Sequence, residues 1–337
     1  MSNRKLRSSK TNLNLFEMVN IACIGAGYWG KNLIRNFNSL GHLKTICDGN
    51  QQTLASFSEQ YPNCNTSGSI DSVLDDSSIH AVSIATPAET HAKLIEKALM
   101  AGKHVYVEKP LCLDETEGET LIHLAKERNL VLMVGHLLQY HPAYLEIKRM
   151  VENDELGDLR YIYSNRLNMG LLRKEENALW SFAPHDISMI LGLVGSMPQS
   201  VSAVGSTYLT KNIADITVGN MSFKNNVNAH IFISWLNPFK EQKLTVIGSD
   251  AMIVFDDTLP WSDKITRYDH LVKWSDDHHP QAIKKDGLAI NLDEAEPLKN
   301  ECQHFIQSVT NNTAPRTNGD EGLRVLKVLN QLQKSMS

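Results

Sequence analysis

The chain has little that would tie it to a disulfide scaffold, a membrane or a nucleic acid. Five cysteines are spread over 337 residues, an odd number with neither metal-ligand spacing nor a disulfide framework, so they read as reduced thiols of a cytoplasmic protein that needs no metal. Cys23, Cys47, Cys112 and Cys302 stand in apolar or helical surroundings, and Cys64 in a loop-like stretch. No apolar run approaches the length of a membrane span. Positive charge is not in excess: 33 Lys and Arg against 38 Asp and Glu leave a formal net charge of -5. That balance lacks the basic surplus needed to neutralise nucleic acid or an anionic membrane surface, although a local cluster can still hold an anionic substrate. Internal repeats and low-complexity tracts are missing too. Residues 1–17 hold Arg4, Lys5, Arg7 and Lys10 in polar sequence without the apolar core of a secretory signal. They read as a disordered basic extension, or as an upstream start with Met18 the usual beginning.

What the sequence does contain begins with a glycine pattern. Val19-Asn20-Ile21-Ala22-Cys23-Ile24 alternates and is rich in β-formers, Gly25-Ala26-Gly27-Tyr28-Trp29-Gly30 follows at once, and Lys31 to Phe37 continues with helical spacing. This is strand, turn, helix. Gly25 permits the tight turn, Gly27 lets the backbone approach a pyrophosphate, Gly30 lets the helix lie close on the strand, and the helix start offers N–H donors to phosphate. A second strand, Leu43 to Cys47, ends in Asp48, at about the 20-residue distance where an acid receives the adenosine ribose hydroxyls. That carboxylate repels a 2′-phosphate, and Gly49 and Asn50 bring no cation to neutralise one, so NAD is favoured over NADP. Further on, His104-Val105-Tyr106-Val107 leads into Glu108-Lys109-Pro110. Ligands of an open parallel sheet lie at the carboxyl ends of its strands, so Lys109 is expected to point at the reactive end of the dinucleotide. A cation placed there suits an enzyme better than a passive nucleotide binder.

The length suits two domains, since a single core rarely grows beyond roughly 250 to 300 residues. Strand and helix alternate to about residue 138: a short capped helix over Gly68 to Leu74, a buried strand Ala81 to Ala85, a helix Thr90 to Ala101, the Lys109 strand, a helix Asp114 to Arg128 and a strand Leu130 to Val134. This predicts a doubly wound parallel sheet, an α/β Rossmann domain over 18–138. Residues 139–337 have another texture. After a helix near Tyr144 to Asn153 come β-type runs at Tyr161 to Arg166, Val201 to Tyr208, Ile216 to Phe223, Asn228 to Trp235, Lys243 to Ile247 and Ala251 to Phe255. They predict an α+β domain built on a large open, mainly antiparallel sheet. One helix, Pro184 to Leu193, interrupts the strands, two close the chain at Leu298 to Val309 and Gly319 to Lys334, and Asp276 to Lys285 reads as a polar surface loop. Alternation in Ala229-His230-Ile231-Phe232-Ile233-Ser234-Trp235 leaves an open sheet face that is expected to be covered.

These residues carry a resemblance. Gly25-x-Gly27-x-x-Gly30, Ala85-Thr86-Pro87 followed by His91, Glu108-Lys109-Pro110, and His185 in a second-domain helix occur in this order in the glucose-fructose oxidoreductase, inositol dehydrogenase and rhizopine-catabolism family of NAD(P)-dependent sugar oxidoreductases. The similarity runs from Met18 to Ser335. Gly135-His136 with Tyr140-His141-Pro142-Ala143, the stretch Asn165 to Gly170, and Phe182-Ala183-Pro184-His185-Asp186 resemble the branch acting on nucleotide sugars. Its members oxidise the 3-hydroxyl of a UDP-linked N-acetylated hexosamine or its uronic acid, ahead of an amination in polysaccharide sugar biosynthesis. The resemblance implies cofactor contacts from Tyr28, Trp29, Thr86, Pro87, His91, Glu108, Lys109 and Gln139 beside the glycines and Asp48. It also implies a homodimer or homotetramer formed through the second-domain sheet.

The chemistry this implies agrees with the residues. Hydride leaves a secondary alcohol only as the hydroxyl loses its proton, so a base must reach that oxygen. His185 is the candidate, expected at the second position of a helix opened by Pro184, where the macrodipole disfavours imidazolium. Lys109 would hold the same oxygen and stabilise developing alkoxide. Many relatives carry an aspartate one helical turn before the histidine, and here that position is Ser181, which has no charge; Asp186 either compensates or is a first-turn acid complementing the helix dipole. Arg166 and Arg173, with Asn168 and Asn177, flank a loop expected over the nicotinamide, and guanidinium groups suit a diphosphate or a uronate carboxylate. Two alternatives stay open: a dehydrogenase of a free sugar or cyclitol, and a regulator that senses NAD or sugar without turnover.

Overall fold

The structure, a computed structural model, describes residues 18–170 and 172–336. The extension expected over 1–17 lies outside the described residues. The first half alternates β1 (Ile21–Ile24), α1 (Gly30–Ser39), β2 (Leu43–Cys47), α2 (Gln51–Gln60), β3 (Asn65–Ser67), α3 (Ile70–Asp75), β4 (Ala81–Ile84), α4 (His91–Met100), β5 (His104–Glu108), α5 (Glu115–Glu127) and β6 (Leu132–Gly135). The strands form one parallel sheet in the order β3-β2-β1-β4-β5-β6. β1, β4 and β6 are buried along their whole length, as strands covered by helices on both faces must be. Local polar chemistry starts the helices: Asn50 accepts from the backbone of Gln52 and Thr53 at α2, Ser69 caps α3, and Asp114 caps α5. Strand order reverses between β1 and β4, which places the ligand crevice above their carboxyl ends.

The second half comprises α6 (Pro142–Glu152), β7 (Tyr161–Leu167), α7 (Ala178–Val194), β8 (Ser200–Ser206), β9 (Ile216–Ser222), β10 (Asn228–Ser234), β11 (Glu241–Ile247), β12 (Ala251–Asp256), β13 (Ile265–Trp274), β14 (Pro280–Lys284), β15 (Leu288–Ala289), α8 (Pro297–Asn311) and α9 (Gly319–Ser335). Its sheet runs β14-β13-β12-β11-β7-β10-β9-β8, with β15 on β13. Pairing is antiparallel except between β7 and β10. Ala229, Ile231 and Ile233 of β10 point into one core with Ile162, Ile187, Ile190, Val328 and Leu332. The intervening His230 faces the other side, stacked on Tyr163 with ring centroids 5.2 Å apart.

Two expectations are corrected. The helix read as Pro184 to Leu193 begins at Ala178 with Asn177 as its N-cap, and Pro184 lies inside it. Proline there has no N–H for the carbonyl of Trp180, yet burial of Leu179, Ala183 and Ile187 on the same helix holds the turn together. The polar stretch Asp276 to Lys285 is not all loop: Pro280–Lys284 is the edge strand β14, paired with β13. All five of its residues are exposed, so the burial alternation that betrays a strand in sequence is missing. The helix α8 returns to the first half, where Leu298, Cys302, Phe305 and Ile306 join Ile21, Phe37 and Tyr106 in one core. Phe37, Tyr106 and Phe305 meet edge-on at 5.8–6.3 Å.

Candidate active site

The glycine loop has the shape of a cradle. Gly25 adopts φ +93°, and a Cβ there would stand 2.6 Å from the carbonyl oxygen of Ala85. A Cβ on Gly30 would lie 2.0 Å from the carbonyl oxygen of Gly25, whereas one on Gly27 would meet nothing within 4 Å. Gly25 and Gly30 therefore make the turn tight, and Gly27 faces the space a pyrophosphate needs. No side chain caps the start of α1, which leaves that end of the helix to an anion. Asp48 closes the far side, its Oδ2 accepting from the N–H of Ala26 at 2.7 Å and its Oδ1 from Asn50 at 2.8 Å.

Two further loops form the opposite wall, and a buried histidine ties them. His91 Nδ1 lies 2.7 Å from the carbonyl oxygen of Pro110 and its Nε2 2.9 Å from that of Thr86. Burial lowers its pKa, and a neutral ring donates to one of these carbonyls at a time. Thr86 and Thr90 share a hydroxyl hydrogen bond of 2.6 Å next to Pro87. The indole N–H of Trp29 donates to Glu108 Oε1 at 2.5 Å, and Tyr28 beside it is exposed. Tyr106 Oη sits 3.1 Å from that same Glu108 oxygen and 3.0 Å from Glu301 Oε2. Burial, then the charge of Glu108, push Glu301 well above the usual carboxylate range.

Lys109 follows β5, with a cis bond to Pro110. Its Nζ donates to the carbonyl oxygen of Ser181 at 2.8 Å, which binds the crevice to α7. Burial lowers its pKa against the opposing charges of Glu176 and Glu108. One helical turn beyond Ser181 stands His185, whose Nδ1 is buried without a partner. Its pKa falls well below 6.5 through burial first, then through the charges of Lys109, Arg166 and His136. The helix start is not the cause, because His185 lies deep inside α7 and the macrodipole acts within the first turn. A histidine depressed in this way stays neutral near pH 7 and is available as a base.

The remaining expected residues separate into groups. Arg166 is 9% exposed and grips Asp186, itself 0% exposed, through Nε at 2.6 Å and Nη2 at 3.1 Å. Ser164 donates to the same carboxylate at 2.6 Å, so Asp186 is neither a first-turn acid nor free to serve His185. Arg173 pairs with Glu176 at 3.0 Å on the exposed loop, and both charges act on Lys109. Asn168 donates its backbone N–H to Ser234 at 3.0 Å. Asn177 caps α7 and donates to Gln333 at 2.7 Å. Gln139 is buried and donates to the carbonyl and hydroxyl oxygens of Ser188 at 2.9 and 3.0 Å. Sequence reasoning missed Glu321 and Ser188, and noted His136 only within a motif. The ring of His136 meets that of His185, Ser188 follows it on α7, and Glu321 touches both His136 and Ser188. Glu321 follows Asn318 at capping-box spacing, a pattern that suggests a surface acid; instead its side chain turns inward to His136 Nδ1 at 2.5 Å.

A glycine cradle at a sheet's switch point, an acid beside it, and a lysine and neutral histidine at the crevice define an NAD-dependent oxidoreductase. Comparison with known proteins agrees. Residues 19–136 match the oxidoreductase family with an NAD-binding Rossmann fold, and residues 144–254 match the GFO/IDH/MocA C-terminal domain. The chain belongs to the GFO/IDH/MocA family. It is 27% identical to the UDP-N-acetylglucosamine 3-dehydrogenase of Acidithiobacillus ferrooxidans over 317 residues, covering 92% of this chain and 95% of that one. The solved structure of that enzyme superposes with a TM-score of 0.81 and 26% identity over 94% and 96% of the two chains. Inositol 2-dehydrogenase of Rhizobium meliloti is 22% identical over 281 residues, 80% of this chain and 82% of that one. Among the described residues no helix is long and apolar enough to cross a membrane.

Proposed function

We propose that the chain oxidises a secondary hydroxyl, at C3, of a UDP-linked N-acetylated hexosamine or hexosaminuronic acid, in the making of sugars for surface polysaccharide. The observation that carries this is the joining of Lys109 to α7 through Ser181, which sets an ammonium and the neutral ring of His185 at one crevice. The similarity to a UDP-N-acetylglucosamine 3-dehydrogenase over almost the whole chain supports the substrate class. NAD, when bound, supplies the hydride acceptor. Gly25, Gly27, Gly30 and Asp48 would hold its adenosine and pyrophosphate half, with Trp29, Thr86, Pro87, His91 and Glu108 shaping the nicotinamide half. His185 takes the hydroxyl proton while the carbon gives up its hydride, and the C–O bond becomes a ketone. Lys109 donates to that oxygen and stabilises the charge it gains. Arg166, Asn168, Arg173, Asn177 and Ser181 border the sugar side.

In this reading residues 18–138 bind the cofactor and 139–337 the sugar, the protein works in the cytoplasm, and the outer sheet face carrying Tyr163 and His230 packs against a second copy. The deciding assay is NADH formation with UDP-sugars, dTDP-sugars and free polyols. Turnover of UDP-N-acetylglucosamine or its uronic acid supports the reading, and turnover of a cyclitol alone replaces it with an inositol-type activity. His185→Asn is expected to lower kcat by about 10² to 10⁴ with NAD affinity nearly intact. Full activity in that variant would move the base elsewhere.

A further inference from the structure

The proposed base has a crowded cationic setting. His185 faces Lys109 from the end of β5, Arg166 from β7 and His136, and all three oppose the positive charge that a proton would add. Asp186 is engaged by Arg166 and Ser164. Ser181 is uncharged. A buried carboxylate reaches this corner from α9: Glu321, 6% exposed, whose Oε2 lies 2.5 Å from His136 Nδ1. Its Oε1 accepts from the hydroxyl of Ser188 at 2.6 Å, on the same helix as His185. The ring of His136, 1% exposed, meets that of His185 edge to face, with centroids 6.4 Å apart and planes at 79°. An ionised carboxylate only accepts, so Glu321 keeps a hydrogen on His136 Nδ1 and orients the ring. Other titratable groups acting on Glu321 are Tyr144 from α6 and Glu301 from α8.

We propose that Glu321, acting through His136, is a positioning residue that offsets the positive charge formed on His185 during turnover and so sets the pH range of the base. The inference rests on His185 being the base. A bare structural staple between α9 and α7 would use the same contacts but would not move the acidity of His185, and pH dependence separates the two.

The test is the pH profile of kcat/KM in full-length Glu321→Gln, using whichever panel sugar forms NADH fastest. Removing the anion makes His185 harder to protonate, so the acid limb is expected to move down by about half a unit or more, with NAD affinity within about twofold of the unmodified chain. Glu321→Asp should return the limb most of the way. If the glutamine variant is insoluble, His136→Asn takes away a group that lowers His185 and leaves the Glu321 carboxylate in place, so its limb is expected to move up, and NMR titration of labelled histidine, with His185→Asn assigning the signal, reads the change without substrate. A limb that stays in place or rises in Glu321→Gln while kcat falls, or one that stays in place or falls in His136→Asn, overturns the proposal and leaves the pair as a staple. Full activity in His185→Asn overturns the base reading itself.

Discussion

Alanine at Gly27 and at Gly30 should produce opposite failures, because the two glycines are small for different reasons. At Gly30 the new Cβ would stand 2.0 Å from the carbonyl oxygen of Gly25 and 2.9 Å from its carbon. Backbone has to move. Overpacking of this kind costs about 1–3 kcal/mol, while alanine in place of glycine within a helix returns about 1 kcal/mol. The net loss in the cofactor-free protein is then on the order of 1 kcal/mol or more, about 2 °C in Tm for a chain of this size. Gly27→Ala meets nothing within 4 Å, so cofactor-free Tm should be unchanged or slightly raised, as replacing an unstrained glycine usually gives about 0.4–1 kcal/mol. Its methyl enters the pyrophosphate space, and NAD should bind at least about tenfold more weakly, roughly 1.4 kcal/mol. Thermal melts with and without NAD, together with calorimetric titration, read both quantities. Wild-type NAD affinity in Gly27→Ala would refute the cradle, and a large loss of cofactor-free stability there would contradict the open space above residue 27.

Three further outcomes follow from the site. Asp186→Asn leaves the Arg166 guanidinium buried without its counter-charge and is expected to destabilise by about 3–5 kcal/mol in urea; a loss under about 1 kcal/mol would mean water replaces the carboxylate. Asp48→Ala should narrow the preference for NAD over NADP, read as the ratio of the two dissociation constants, and an unchanged ratio would remove Asp48 from cofactor choice. Burial, Lys109, Arg166 and His136 all lower His185, so the acid limb of kcat/KM should lie below pH 6.5. Ser181→Asp places a carboxylate one turn away, favours imidazolium and should move that limb upward; an unmoved limb would show that position 181 does not sense the histidine.

Much of the first half could be read directly from the order of residues, for a local reason. The loop Gly25 to Gly30, its strand and its helix are neighbours in the chain, as are the caps Asn50, Ser69 and Asp114. Periodicity and turn chemistry act over a few residues, and burial on both faces makes β1, β4 and β6 nearly continuous apolar runs. The mainly antiparallel second sheet was visible through the same alternation, but β13, β14 and β15 were not, since strands left mostly exposed have no buried face to alternate. Pro184 misled because proline at a helix start is common, whereas the packing of Leu179, Ala183 and Ile187 carries α7 through it. The electrostatics of His185 came wholly from tertiary structure. Arg166 meets Asp186 only because α7 lies on β7, and Glu321 meets His136 only because α9 folds back against the end of β6. Residue type is written in sequence, but the charge a side chain feels depends on which distant groups share its burial, and that is decided when the helices dock.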